Sequence, residues 1–310
     1  MSYLLENNET LSFGLKRIVL EIIDRSVFNL AKGNGSFNED VHDTRKNFKK
    51  ARTVIRLIRS NIGEQSYRAE NSFYRDAGRT LSDLRDSTVL IQTFDKLLRN
   101  SELEMSKFDF SVFKDFLIEK HKNIRMAKSK KSAVINSLST DLILGRSRVF
   151  DWPLSGDEFK LVKKNLQNIY EKGQKYMYAV LSESTKPNVH EWRKRVKNLW
   201  YSMRVLSNIW PEIMSPLVIL LGKLSDTLGD SNDLFLLKEK IILNQNKLKD
   251  EQHTRELINF IDRRIIDLLR EARLIGRKVY SEDSKYFVGR MQNYFEIWRS
   301  EFTPLKYFSV

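Results

Sequence analysis

The segment from Val41 to Ser60 carries basic side chains at steps of three and four residues. On an α-helix this spacing places the basic side chains on one face, beside a neighbouring row of mostly apolar residues. Within the segment only Asp43 is acidic, whereas a solvated helix face usually mixes charges of both signs. The pattern predicts a helix that packs through one side and binds an anion through the other. The basic row consists of His42, Arg45, Lys49, Arg52, Arg56 and Arg59.

A second segment, beginning at Val189, repeats this pattern at an offset of 148 residues. An acidic segment, predicted as a turn, follows each copy, with Asp86 lying 44 residues after His42 and Asp233 lying 43 residues after His190. The match is interrupted where Arg52 aligns with Trp200. Because two unrelated amphipathic helices would not share all of these features, the sequence predicts an internal duplication. The matched pairs are His42 and His190, Arg45 and Arg193, Lys46 and Lys194, Lys49 and Lys197, and Arg56 and Arg204.

Helical periodicity runs through almost the whole chain and strand signals are scarce, so we predict an all-α protein. The segment from Ser147 to Gly156 lacks this periodicity and contains Pro153, which indicates a boundary between domains 1–150 and 151–310. The predicted helices are 4–31, about 41–62, 64–99, 109–126, 131–146 and 157–184, and one from residue 189 onward.

Composition narrows the possible partners. The 310-residue chain has a formal net charge of +14, which favours an anionic partner such as nucleic acid, a lipid surface or a phosphate-rich ligand. The absence of cysteine excludes disulfides, thiol catalysis and thiolate metal sites. No apolar run is long enough to span a membrane, so we expect a cytoplasmic protein without a membrane partner.

The repeated H-x-x-R-K-x-x-K pattern and the two later acidic segments resemble the CHAD family, the conserved-histidine α-helical domain. The resemblance covers about residues 5 to 300. It implies two antiparallel four-helix bundles related by a pseudo-two-fold axis, with the basic helices lining a central cavity. It also implies that the protein binds inorganic polyphosphate. Such binding could in turn recruit the protein to polyphosphate granules. The ligand contacts would be His42, Arg45, Lys46, Lys49, Arg52, Arg56, His190, Arg193, Lys194, Lys197 and Arg204.

The chemistry of these residues fits such a ligand. Polyphosphate offers regularly spaced negative charges, which Arg binds in bidentate fashion and Lys binds as a mobile point charge. His42 and His190 either donate to phosphate or serve only as helix-start hydrogen-bonding groups. We expect Asp86 and Asp233 to cap helices or neutralise Arg side chains. With no paired-acid motif or P-loop, the expectation is a binding module without cofactor or metal, and not an enzyme. A nucleic-acid-binding or scaffold protein is the alternative.

Overall fold

The computed structural model describes residues 3–32, 37–82, 88–99, 114, 118, 128–245 and 251–301. All the regular elements in these ranges are helices, which confirms the prediction of an all-α protein for the described part of the chain. The helices are α1 (Leu11–Ala31), α2 (Phe37–Leu57), α3 (Arg59–Ile62), α4 (Glu64–Ser82), α5 (Thr88–Arg99), α6 (Lys128–Phe150), α7 (Lys160–Ser182), α8 (Lys186–Val205), α9 (Pro211–Leu243), α10 (Glu251–Val279) and α11 (Ser284–Ser300), with a 3₁₀ turn at Ser207–Ile209.

Several helix boundaries differ from those expected. The described parts of the segment predicted as one helix from 64 to 99 are α4 and α5, and 83–87 lie outside the described residues. The helix predicted at 109–126 also lies almost wholly outside them. Asp86 also lies outside them. The acidic segment around Asp233 lies inside α9 and is not a turn. Gly229 belongs to this segment, and a Cβ at that position would lie 2.9 Å from Arg193 Nη2. The glycine therefore allows α8 and α9 to approach closely.

The segment between the two predicted domains packs against the start of α1. The backbone N–H of Leu11 donates to Asp157 Oδ1 over 2.7 Å, and the N–H of Ser12 donates to the carbonyl of Gly156 over 3.1 Å. Gly156 has a φ of 95°, a left-handed conformation that glycine adopts without steric cost. The chain thus turns here while also satisfying the free amides at the start of α1.

The two basic helices occupy matching places in the fold. Helix α2 packs between α1 and α4, and α8 packs between α7 and α9. Each buries its apolar row, so that Phe48 and Ile55 of α2 and Trp192 and Val196 of α8 are almost fully buried. Helix α2 also contacts α8 and α7 directly. Because burial of each large apolar side chain is worth about 1.5–3 kcal/mol, these rows fix which faces of α2 and α8 remain for other contacts.

Candidate functional site

Cavities that share lining residues run along the contact between α2 and α8. The large cavity, of about 510 Å³, is lined by Arg25, His42, Asp43, Lys46, Asn47, Lys49, Lys50, Lys197, Trp200, Tyr201, Arg204 and Asp226. The middle cavity, of about 370 Å³, is lined by Lys49, Arg52, Arg56, Lys194, Arg195, Lys197, Asn198 and Tyr201. The small cavity, of about 100 Å³, is lined by Arg56, Arg59, Tyr67, Asn165, Asn168, Ile169, Lys172, Arg195 and Asn198. We call the large and middle cavities together the groove.

Cations from both basic helices face each other across the middle cavity. Lys49, Arg52 and Arg56 come from α2, and Lys194, Arg195 and Lys197 come from α8. No carboxylate is among the described residues that line this cavity. The concentration of positive charge is therefore not neutralised within the cavity itself, which is what a site for a polyanion requires.

An asparagine of α4 orients the arginines of α2. Asn71 Oδ1 accepts a hydrogen bond from Arg52 Nε over 3.0 Å and lies 3.5 Å from Arg56 Nη2. Arg56 Nη1 also donates to the backbone carbonyl of Arg52 over 3.1 Å. These neutral partners hold both guanidinium groups in place without cancelling their charge. The two guanidinium groups are thus preorganised.

The two lysines at the junction of the large and middle cavities have lowered pKa values. Desolvation, reinforced by the charges of Arg193 and Lys49, lowers the pKa of Lys197 to about 7. Desolvation, with Arg45 and Arg193 adding to it, lowers the pKa of Lys49 to about 8. Lys49 is accessible to water, yet protein atoms crowd it within the cavity. Both ammonium groups are thus held where their charged form is disfavoured until an anion approaches.

The same effect reaches two further side chains. Burial, together with the charge of Arg204, lowers the pKa of Lys50 to about 8. Burial is also the main cause that lowers the pKa of Arg56 to about 10, with the charge of Arg52 adding to it. The unfavourable free energy of holding these positive charges close together is therefore shared by several residues along the groove.

The structure brings most of the predicted contacts to the groove, but not all of them. Eight of the eleven line it, namely His42, Lys46, Lys49, Arg52, Arg56, Lys194, Lys197 and Arg204. Arg45 and Arg193 do not line it, although both act electrostatically on Lys49. His190 also lies outside the lining; its Nδ1 is 3.1 Å from Asn232 Oδ1 of α9. The two histidines thus occupy different settings.

Other residues of the groove were not predicted from the sequence. Arg195 aligns with Asn47, one position off the basic row, and Lys50 precedes the apolar Ala51. Arg25 reaches the large cavity from α1, outside either repeat. Their basic character was visible in the sequence, but whether their side chains face the groove depends on how α1, α2 and α8 pack. Asn71 carried no sequence signal.

Aromatic residues surround one cation of the large cavity. The guanidinium carbon of Arg204 lies 5.5 Å from the ring centre of Tyr3, 5.4 Å from that of Trp200 and 5.9 Å from that of Tyr201. Trp192 and Tyr201 are buried, whereas Trp200 is only half-buried and lines the cavity. The rings restrict Arg204 and leave its charge intact.

The described residues form neither a metal site nor a membrane-spanning helix. No group of three or more His, Asp or Glu side chains there could hold a metal ion. No helix in that part of the chain is long and apolar enough to cross a membrane. Asp233 lies inside α9, 3.5 Å from the Asn232 amide nitrogen, and acts electrostatically on Lys197, whereas the sequence led us to expect an Arg partner or a helix cap.

Comparisons with known proteins identify the family. The family model of the CHAD domain matches residues 29–241, well over half of the chain, and the protein therefore belongs to the CHAD family. Its structure is similar to the crystal structure of the CHAD domain from the plant Ricinus communis, with a TM-score of 0.61 and 15% sequence identity. That match covers 88% of this chain and 94% of the plant chain and shows a shared fold. The search of curated proteins gave no significant match.

Proposed function

We propose that the protein binds inorganic polyphosphate in the groove between α2 and α8. The observation that carries this proposal is the convergence of cations from both basic helices on the middle cavity, whose described lining contains no carboxylate. A helical row supplies a basic side chain about every 5–6 Å, which suits a chain of regularly spaced anionic groups. Membership of the CHAD family, which is associated with polyphosphate binding, supports the same ligand.

The correspondence between the two cavities of the groove supports a duplicated architecture. Exchanging residues at the offset of 148 converts much of the lining of the large cavity into that of the middle cavity. Lys49 and Lys197 exchange with each other and line both cavities. We propose on this basis that 1–150 and 151–310 are pseudo-two-fold-related bundles around a shared basic cavity. The other exchanged pairs are Lys46 with Lys194, Asn47 with Arg195, Lys50 with Asn198, Trp200 with Arg52, and Arg204 with Arg56.

The proposed activity is binding without catalysis. The groove is lined mainly by cations, amides and aromatic rings, whereas phosphoanhydride hydrolysis assisted by metal ions needs clustered carboxylates. Asp43 and Asp226 lie in the large cavity, and Asp43 Oδ1 is 3.2 Å from Lys46 Nζ. A binding module of this kind would act in the cytoplasm and direct the protein to polyphosphate granules.

Calorimetric titration at physiological salt tests the proposal. Long-chain polyphosphate should bind tightly, and single-stranded RNA and duplex DNA should fail to displace it. Replacing Arg45, Lys49, Arg193 and Lys197 together by Ala should abolish binding while the helical circular-dichroism signal persists. These residues lie in the groove or act on it electrostatically.

A matched control removes the same number of positive charges elsewhere. Lys163, Lys164, Lys175 and Lys278 are exposed and line none of the cavities of the site. Their combined replacement by Ala should leave tight binding in place. Equal losses in both variants, or equal affinity for polyphosphate and nucleic acids, would contradict a shaped site and favour the nucleic-acid-binding or scaffold alternative.

A further inference from the structure

We propose that the small cavity binds the terminal phosphate group of an inorganic phosphate chain whose remaining groups lie in the groove. This inference rests on the proposed function and adds an end-specific pocket to it. The small cavity continues from the middle cavity, because Arg56, Arg195 and Asn198 line both. A chain in the groove therefore meets this pocket at the end of α2.

Elements beyond the two basic helices build the pocket. Lys172, Asn165 and Asn168 come from α7, and Tyr67 comes from α4. The amide of Asn165 is fixed by donating to the Leu57 carbonyl over 3.0 Å and to Ser60 Oγ over 2.8 Å. These contacts hold α7 against the end of α2, so the pocket is a defined feature of the packing.

The polar groups of the pocket fit one strongly charged anion. Arg56, Lys172 and Arg195 supply positive charge from separate helices, and no carboxylate is among the described lining residues. Arg59 also lines the pocket and pairs over 2.8 Å with Glu64, so it adds less. Arg195 Nη2 donates to Glu191 over 2.9 Å, but its Nε is buried and makes no hydrogen bond to a described protein group.

The charge of the ligand explains why the terminal phosphate would bind in the small cavity and not in the large cavity. An internal phosphate of a linear chain carries one negative charge, whereas a terminal phosphate has a second ionisable oxygen with a pKa of about 6, as in a phosphomonoester. At neutral pH the terminal group is therefore mostly a dianion. The large cavity, at the other end of the groove, is lined by Asp43 and Asp226, which would repel a dianion. The small cavity has no such group in its described lining.

Size points in the same direction. The small cavity has a volume of about 100 Å³, about one fifth of that of the large cavity. This space suits a single compact anion better than a continuing chain, and the apolar side chain of Ile169 forms part of its wall. Free orthophosphate has the same chemistry as a chain terminus, so an experiment must separate the two sources.

The test compares linear tripolyphosphate, which has two termini, with cyclic trimetaphosphate, which has none. Orthophosphate serves as the third ligand, and each is titrated by calorimetry at pH 7.5. We expect the protein to prefer the linear over the cyclic compound. The double variant Lys172→Ala/Asn168→Ala alters two exposed residues of the pocket and should reduce this preference about fivefold, as expected for one partly exposed ion pair.

The control variant is Lys163→Ala. Lys163 is exposed and lies nine residues before Lys172 on α7, hence on the opposite face of the helix. It should retain the preference of the unmodified protein. The double variant and this control each lose one positive charge, so a change in preference that arose only from the overall charge would be the same in both.

The outcomes separate this inference from the proposed function. A preference unchanged in the double variant, or equal binding of the linear and cyclic compounds, would overturn the terminal-phosphate pocket while long-chain binding would still support the groove. Orthophosphate binding as tight as that of linear tripolyphosphate would show a free-phosphate site and also overturn it. If no phosphate compound bound, including long-chain polyphosphate, both proposals would be overturned.

Discussion

At the scale of single residues, the clustered cations that would bind a polyanion also destabilise the ligand-free protein. Lys49 and Lys197 lie among other cations, and desolvation together with like charge lowers their pKa values to about 8 and about 7. A polyanion would reverse this situation by supplying opposite charges. Such residues lower the stability of the ligand-free protein and raise that of a complex with a polyanion, which is the behaviour expected of a binding site.

This conflict gives a test at Lys197. Replacing it with Met keeps the length of the side chain but removes the charge, so at pH 7 the free energy of unfolding should rise by on the order of 1 kcal/mol. Affinity for polyphosphate should fall in the same variant. Urea unfolding and calorimetric titration measure the two effects. The exposed control Lys163→Met should change neither by more than about 0.5 kcal/mol, and a less stable Lys197→Met protein would contradict the interpretation.

At the scale of helices, close approaches decide how α7, α8 and α10 meet. A Cβ at Gly276 of α10 would lie 2.5 Å from Trp192 Cζ2 and 3.2 Å from Met177 Sδ. Trp192 is fully buried on α8, on the side opposite to the basic row that faces the groove. The small residue on α10 therefore sets how α8 is seated, and with it the direction of its cations.

The variant Gly276→Ala tests this packing. Alanine favours a helix by about 0.5–1 kcal/mol relative to glycine, but the clash with Trp192 should outweigh this gain and destabilise the protein by about 1–3 kcal/mol. Gly289 of α11 is the matched control, since a Cβ there meets nothing within 4 Å. Gly289→Ala should be stabilising in the same urea-unfolding experiment. If both variants gain stability, α10 does not hold α8 through this contact.

At the scale of the whole molecule, the cations of the groove couple stability to pH. Lys49, Lys50 and Lys197 have lowered pKa values in the folded protein, at about 8, about 8 and about 7, against an ordinary value of 10.5. Between about pH 7 and 10.5 the unfolded chain thus binds more protons than the folded one does. These groups make the ligand-free protein more stable as the pH rises through this range.

Bound polyphosphate should have the opposite dependence. It favours the charged lysines and raises their pKa values, so its stabilising effect should be largest near pH 6.5 and should shrink towards pH 9. Thermal unfolding with and without long-chain polyphosphate at several pH values measures this difference. Calorimetry in buffers of different ionisation enthalpy should also show proton uptake on binding. A stabilisation that does not vary with pH would exclude these lysines as contacts.

The sequence alone determined the helical class, the basic rows of α2 and α8 and their repetition, because all three follow from local periodicity and spacing. Most of the residues predicted as ligand contacts line the groove, because burial of the apolar row of a helix turns the basic row away from the core. The continuous α9 was missed, since the sequence around Gly229 does not reveal that this glycine lies against Arg193 of another helix.

Only the tertiary structure decided which cations converge. Arg195 and Lys50 line the groove while His190 packs against Asn232, although the row predicted His190 and neither of the others. The small cavity likewise requires α7 and α4 to meet the end of α2. Helix crossings depend on the packing of residues far apart in the chain, and the lowered lysine pKa values depend on the resulting desolvation, which no local pattern encodes.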